Sequence, residues 1–139
     1  MTTTITGACH CGNLSFELST QCAPEDIVAR ACDCDFCRMH ATRNWSDPDG
    51  RARIEVKDPA ALSRYQFGLR AIDFLVCAGC GGYAGAILID DDGIWSTLNL
   101  RLTDYRDVPE QAASYGAQSA EDRSTRRKRI WTPTELGGF

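Results

Sequence analysis

The chain has 139 residues, of which 43% are hydrophobic and 24% are charged, and its formal net charge is −4. These values are typical of one soluble globular domain, so we expect a single domain spanning residues 1–139. The negative charge argues against general nucleic-acid binding, and no stretch approaches the roughly 20 apolar residues of a membrane span. The first residues lack the charged start and apolar run of a secretory signal, which predicts a cytoplasmic protein.

Most of the chain shows the apolar–polar alternation that indicates β-strands. In chain order, the predicted strands are residues 13–20, 27–31, 53–57, 64–67, 71–76, 83–89 and 94–102. Residues 90–93, Asp-Asp-Asp-Gly, predict a hairpin turn between the last two, because Asp and Gly tolerate positive φ. One helix is predicted at 119–130, where Ser119 can cap the start, basic residues crowd the last turn and Pro133 follows. We therefore expect a mainly β domain with a short C-terminal helix.

Seven of the eight cysteines fall into three tight clusters: Cys9 and Cys11; Cys32, Cys34 and Cys37; Cys77 and Cys80. Cysteines two apart on a strand point to the same face, and the glycines after Cys80 allow a tight turn, so each cluster can offer its sulfurs to one ion. Four disulfides are the alternative, but disulfide frameworks usually spread their cysteines, and a reducing compartment opposes them. A thioredoxin-like motif at residues 77–80 should open a helix, whereas a glycine pair and a predicted strand follow these residues. We interpret the clusters as zinc ligands.

Seven thiolates divide naturally into four and three. Four thiolates close a tetrahedral zinc site, whereas three leave one position open, which a catalytic zinc needs. Spacing alone does not settle which clusters share an ion. The economical arrangement places Cys9, Cys11, Cys77 and Cys80 around a structural ion and leaves the second ion to Cys32, Cys34 and Cys37. The sequence thus predicts two Zn²⁺ ions, one structural and one catalytic.

Two residues beside the second cluster are candidate site residues. His40 could line the site and act in catalysis as a proton donor, could close the site as a fourth ligand, or could be a bystander; we favour the first. Arg38 directly follows a ligand and is a candidate anchor for the substrate. The basic run at 123–129 could be a solvated helix face, a grip on an anionic ligand, or a nucleic-acid contact; we favour the first. Cys22 lies outside the clusters and is interpreted as a buried or free thiol.

Three pieces of the chain, Gly7-Ala-Cys9-His-Cys11-Gly12, Cys32-Asp-Cys34-Asp-Phe-Cys37-Arg38 and Phe74-Leu-Val-Cys77-Ala-Gly-Cys80-Gly81, together carry a resemblance. With them, the chain resembles the glutathione-dependent formaldehyde-activating enzyme family, which also includes centromere-protein-V-like proteins. Residues 65–68 and 99–101 also fit, and the match spans residues 5–105. The chain departs from the pattern at Met39-His40, where many members carry a small residue soon after the Cys-Arg step.

This resemblance implies a β-tent fold of small antiparallel sheets around zinc sites. It implies the same division of the ligands: a structural ion at Cys9, Cys11, Cys77 and Cys80, and a catalytic ion at Cys32, Cys34 and Cys37. It also implies a carbon–sulfur lyase of the S-(hydroxymethyl)glutathione synthase type. The expected partner is then a small-molecule thiol such as glutathione, joined to formaldehyde.

Two other hypotheses stay open at the level of the sequence. One is a two-zinc binding or scaffold module without catalysis, which holds a partner with its basic tail. The other is a protein with one structural zinc and a vacant or redox-active cluster at residues 32–37. The sequence does not determine the substrate or the oligomeric state.

Overall fold

A computed structural model describes residues 2–139, and strands dominate it. Two α-helices, α1 (Asp35–Met39) and α2 (Ala120–Ile130), accompany the strands. The strands are β1 (Thr3–Ala8), β2 (Leu14–Thr20), β3 (Ala29–Cys32), β4 (Asn44–Trp45), β5 (Arg51–Val56), β6 (Leu62–Tyr65), β7 (Asp73–Cys77), β8 (Tyr83–Asp90), β9 (Gly93–Asn99), β10 (Glu110–Ala113) and β11 (Thr132–Gly137). The mainly β fold with a short helix near the C-terminus, predicted from the sequence, is confirmed.

The strands form one open sheet in the order β1-β2-β5-β11-β9-β4-β3-β10, and β8, β7 and β6 continue from β9 as a branch. Most neighbours are antiparallel, but β11 runs parallel to β5, and β10 runs parallel to β3. Strand β11 joins the two halves of the sheet, because its start pairs with β9 and its end pairs with β5. The first half contains β1, β2 and β5, and the second half contains β9 and the strands that continue from it. The second half carries β3, and with it the start of the three-cysteine segment.

In the first half of the sheet, the apolar–polar alternation of the sequence places the apolar side chains in the core, as predicted. Leu14, Phe16 and Leu18 of β2 all face the core, and β5 buries every second residue against the same core. Strand β8 is instead buried along almost its whole length, which is typical of a strand covered on both faces. A second, smaller apolar cluster surrounds Phe36, Phe74 and Trp131, and its members pack directly against the three-cysteine segment.

The predicted turn between β8 and β9 is also present. Asp90 pairs with Gly93 at the end of the β8–β9 hairpin, where Gly93 has a φ of 145°. Gly68, with a φ of 60°, lies in the loop that joins β6 to β7. Strands β1, β4, β10 and β11 and helix α1 were not predicted, because each is short or lacks a clear apolar period. None of the helices in residues 2–139 is long and apolar enough to cross a membrane.

Candidate metal centres and the adjoining cavity

The first cysteine group gathers four sulfurs from two turns that are distant in the chain, the β1–β2 turn and the β7–β8 turn. The Sγ atoms of Cys9, Cys11, Cys77 and Cys80 all lie within 4.8 Å of one another. The Sγ of Cys11 lies 3.5 Å from that of Cys77 and 3.8 Å from that of Cys9. Zinc–sulfur bonds of about 2.3 Å in a tetrahedron place sulfurs about 3.8 Å apart, so this donor set fits such an ion. The group could therefore hold a metal ion.

Local backbone structure brings the four sulfurs together. Cys77 ends β7, and a tight turn follows it, in which the N–H of Gly81 donates to the Cys77 carbonyl at 2.8 Å. A Cβ on Gly82 would lie only 2.9 Å from the Cβ of Cys9, so a glycine is required for this close approach. Cys9 and Cys11 lie in the turn between β1 and β2, not on a strand. We predicted that one face of a strand would present the sulfurs of Cys9 and Cys11, but it is the turn that directs both of them toward the same point.

Backbone amides around this group favour the thiolate forms of Cys77 and Cys80. The N–H of Leu14 donates to the Cys9 sulfur at 3.3 Å, and the N–H of Cys80 donates to the Cys77 sulfur at 3.4 Å. The latter hydrogen bond is the main cause that lowers the pKa of Cys77. The pKa of Cys80 falls to about 6, mainly because the backbone N–H of Cys11 donates to its sulfur. Deprotonated thiols are the form that binds metal.

The second group consists of Cys32, Cys34 and Cys37, whose sulfurs also lie within 4.8 Å of one another. Cys32 ends β3, Cys34 is the N-cap of α1, and Cys37 is a buried residue of that helix. The N–H of Cys37 donates to the Cys34 sulfur at 3.4 Å. Hydrogen bonds from the Cys32 and Cys37 thiols lower the pKa of Cys34 to about 2, whereas the hydrogen bonds of Cys37 with the sulfurs of Cys32 and Cys34 raise the pKa of Cys37. This group, too, could hold a metal ion.

The surroundings of the two groups differ. The three-cysteine group forms part of the wall of a cavity of about 190 Å³, whereas none of the four cysteines of the first group lines that cavity. All eight cysteines are free thiols, so the disulfide alternative is excluded in this structure. Among residues 2–139, no His, Asp or Glu joins the three sulfurs in a group of close ligand atoms. The second group therefore offers three protein ligands and faces open space.

The cavity has an aromatic side and a basic side. Its aromatic lining is Phe67, Phe74, Tyr83, Tyr115 and Trp131, and its basic lining is Arg30, Arg70, Arg123, Arg126 and Arg127. The segment from Phe67 to Ile72, which joins β6 to β7, lies along one rim of the cavity. A ligand in this cavity would thus contact both ring faces and guanidinium groups beside the three sulfurs.

Helix α2 supplies three of these arginines. Arg126 and Arg127 are each 8% exposed, so the solvated-face interpretation of the basic run is wrong for them. Arg129 is exposed, as that interpretation expects, and the Lys128 ammonium pairs with the carboxylates of Asp90 and Asp92. Burial, together with repulsion from Arg126 and Arg123, lowers the pKa of Arg127 to about 10.

His40 and Arg38 lie near the second group but do not line the cavity. The Nδ1 of His40 lies 2.9 Å from the Phe36 carbonyl oxygen, and its ring stacks on the Phe36 ring with the centroids 4.1 Å apart. The guanidinium of Arg38 lies 2.9 Å from the Asp35 carboxylate, and its side chain is 71% exposed. The catalytic role of His40 and the anchoring role of Arg38 stay predictions.

Several cavity residues were not predicted from the sequence. Tyr83 is buried and donates to the Asn44 Oδ1 at 3.2 Å, and this burial raises the pKa of Tyr83 well above its ordinary value. Arg30 lies two residues before Cys32 on β3, so alternation along the strand places both side chains on one face. That spacing was the signal available in the sequence. Tyr83 and Asn44 carry no such signal, because they reach the site through strand pairing alone.

No protein-family model matches the chain. Among solved structures, the chain is similar to a protein from Rhodobacter sphaeroides known from its crystal structure, with a TM-score of 0.54 and 26% sequence identity. That similarity covers 76% of this chain and 99% of the other. It supports the overall architecture and assigns no activity.

Proposed function

We propose that the chain is a zinc-dependent carbon–sulfur lyase-like enzyme of the glutathione-dependent formaldehyde-activating type. It would act in a reducing compartment such as the cytoplasm, on a small thiol and an aldehyde or on their adduct. One observation carries the proposal: the group with three sulfurs lines the cavity of about 190 Å³, whereas the group with four sulfurs does not line it. A structural site needs no approach from outside, whereas a catalytic site does.

The ligands divide accordingly. Cys9, Cys11, Cys77 and Cys80 would hold a structural Zn²⁺, and Cys32, Cys34 and Cys37 would hold a catalytic one. When bound, the catalytic ion supplies a positive charge that favours the thiolate form of a nearby thiol. With three protein sulfurs in the group, one side is left for a ligand from the cavity.

The reaction is an addition in which a carbon–sulfur bond forms between the thiol sulfur and the carbonyl carbon. The S–H proton ends on the carbonyl oxygen, which becomes a hydroxyl group, and nothing is oxidised or reduced. Phe67, Phe74 and Trp131 provide an apolar wall that excludes water and holds the two reactants close together. The reverse reaction cleaves the same bond and releases both partners.

Cobalt substitution tests this proposal, because thiolate-to-cobalt charge-transfer bands report directly on the ligands of each site. We expect glutathione or another small thiol to change the spectrum of the wild-type protein and of Cys22→Ser, which lies outside both groups. The change should be absent in Cys34→Ser. In parallel, NMR exchange spectroscopy should detect faster interconversion of free thiol and hydroxymethyl adduct than in buffer.

If no thiol perturbs the cobalt spectrum and the exchange rate equals that in buffer, the enzyme proposal fails. The two-zinc scaffold without catalysis would then be the better account.

A further inference from the structure

We propose that Arg126 and Arg127, with Arg30, form an anion subsite in the cavity beside the three-cysteine group. The ligand class that it selects is a small thiol whose carbon skeleton carries a carboxylate. Assignment of the thiol end rests on the proposed function, whereas the anion subsite rests on the arginines themselves.

The arginines that line the cavity on β3 and α2 have only uncharged partners. The ion pairs within residues 2–139 involve other basic residues and include none of Arg30, Arg123, Arg126 and Arg127. The Nη2 of Arg30 donates to the hydroxyls of Ser46 at 2.5 Å and Thr97 at 3.2 Å. Four guanidinium groups therefore share one cavity without a carboxylate of their own.

Arg123 and Arg126 also have only uncharged hydrogen-bond partners. Arg123 donates to two backbone carbonyls, and Arg126 donates to the side-chain oxygen of Gln118. The Arg126 guanidinium also lies 3.6 Å from the centroid of the Tyr115 ring. These contacts hold the side chains in place and leave their positive charge uncompensated.

Burial makes this arrangement costly for the empty protein. Arg126 and Arg127 are each 8% exposed, and the Nε atom of each is a buried donor without a hydrogen-bond partner in the described part of the chain. A buried charge needs an opposite charge, and a buried donor needs an acceptor. An anion in the cavity would supply both.

The negatively charged groups around the cavity do not balance the positive charges of these arginines. Asp33 is the only carboxylate among the described residues that line the cavity, and its side chain is exposed. Three thiolates around a divalent ion carry a single net negative charge, and Asp33 adds one more, against the five guanidinium groups that line the cavity. Positive charge therefore remains in excess after the metal site is filled.

The chemistry of the surroundings selects the ligand class. A guanidinium binds a carboxylate through two parallel hydrogen bonds, which gives geometric specificity as well as affinity. Because the two arginines are almost completely buried, a nucleic-acid backbone cannot reach them, whereas a small molecule in the cavity can. With its sulfur at the cysteine group and its carboxylate at the arginines, an acidic thiol would span the cavity along the aromatic wall.

Isothermal titration calorimetry of the zinc-loaded full chain tests the subsite with three probes of similar size. These are 3-mercaptopropionate, 3-mercapto-1-propanol and butyrate. We expect wild type to bind the acidic thiol at least about tenfold more tightly than the neutral thiol, since a charge-assisted hydrogen bond is worth about that much. Arg126→Gln and Arg127→Gln should lose this preference, and the matched control Arg129→Gln, an exposed residue of the same helix, should keep it.

The outcomes separate the subsite from the proposed function. If wild type binds the acidic and the neutral thiol with equal affinity, the subsite proposal is overturned, and this test does not depend on whether a glutamine variant folds. The enzyme proposal is still supported in that case if both thiols perturb the cobalt spectrum. Preserved preference in a folded Arg126→Gln,Arg127→Gln double variant also overturns it. Binding of butyrate that is lost in that double variant, with neither thiol reaching the cobalt, supports the subsite and contradicts the proposed function.

Discussion

Cys34 and Cys80 have the same side chain but lie in different surroundings. Cys80 lies in the turn between β7 and β8, and its group includes Cys9 and Cys77, both part of the main apolar core. Cys34 instead caps a helix of five residues at the wall of the cavity. Removal of one sulfur should therefore disturb the core in the first case and only the cavity wall in the second.

We expect Cys80→Ser to lose the fold and Cys34→Ser to stay folded, with one zinc per chain and without activity. Structural zinc contributes about 10–16 kcal/mol in zinc-finger peptides, which is comparable to the whole stability of a domain, about 5–15 kcal/mol. Circular dichroism melting and metal analysis measure both effects. Cys22→Ser is the matched control, because Cys22 belongs to neither group, and it should keep the fold and both ions. Equal loss of folding in Cys34→Ser and Cys80→Ser would contradict the proposal that the first group is structural and the second is catalytic.

At the scale of elements, α2 is an unusual helix, because the side chains that it buries are Arg126 and Arg127. A helix without an apolar face gains little from burial, so its ends and neighbours must hold it. Its start is capped by Ser119, whose hydroxyl accepts a hydrogen bond from the Asp122 N–H at 3.1 Å. Its end runs directly into β11, where the buried Thr132 hydroxyl accepts from the Asp47 N–H at 2.8 Å.

Because the cap replaces a missing hydrogen bond, Ser119→Ala should lower the free energy of unfolding by about 1 kcal/mol. Urea denaturation measures this change, and hydrogen exchange should show faster opening of the first turn of α2. The matched control is Thr125→Ala, an exposed position inside the helix, where the substitution should leave the free energy of unfolding nearly unchanged or raise it slightly. If the Ser119→Ala protein is as stable as wild type, the contacts at the C-terminal end of α2 are sufficient to hold the helix in place.

At the scale of the whole molecule, the first cysteine group connects segments that are distant in the chain, whereas the second lies within the short stretch 32–37. The first ties the β1–β2 turn to the β7–β8 turn, and the second joins the end of β3 to α1 beside the cavity. Because the two groups share no residue, they should release metal independently. Three protein ligands also hold an ion less firmly than four.

We therefore expect two zinc ions per chain and a two-step response to a chelator. The first ion should leave with the fold intact, and the second should leave with unfolding, as followed by a colorimetric zinc indicator and circular dichroism together. Release of both ions in one step with unfolding would contradict independent sites. One ion per chain in protein purified with ample Zn²⁺ would favour the vacant or redox-active cluster, in which Cys34-x-x-Cys37 opens α1 as a thiol–disulfide motif does.

The sequence by itself determined the cysteine clusters that could bind metal, the mainly β character, the β8–β9 hairpin and the capped helix. Each depends on spacing within a few residues, such as the apolar alternation of β2 or the four residues from Cys77 to Cys80. Even the preferred grouping of the cysteines agrees with the structure, although the turn that holds Cys9 and Cys11 was not foreseen. Only the tertiary structure decided that Arg30 of β3, Tyr83 of β8 and Arg126 of α2 line one cavity with the three sulfurs, and that Arg38 does not. The physical reason is that strand order and helix docking are contacts between distant segments, which no local pattern of residues encodes.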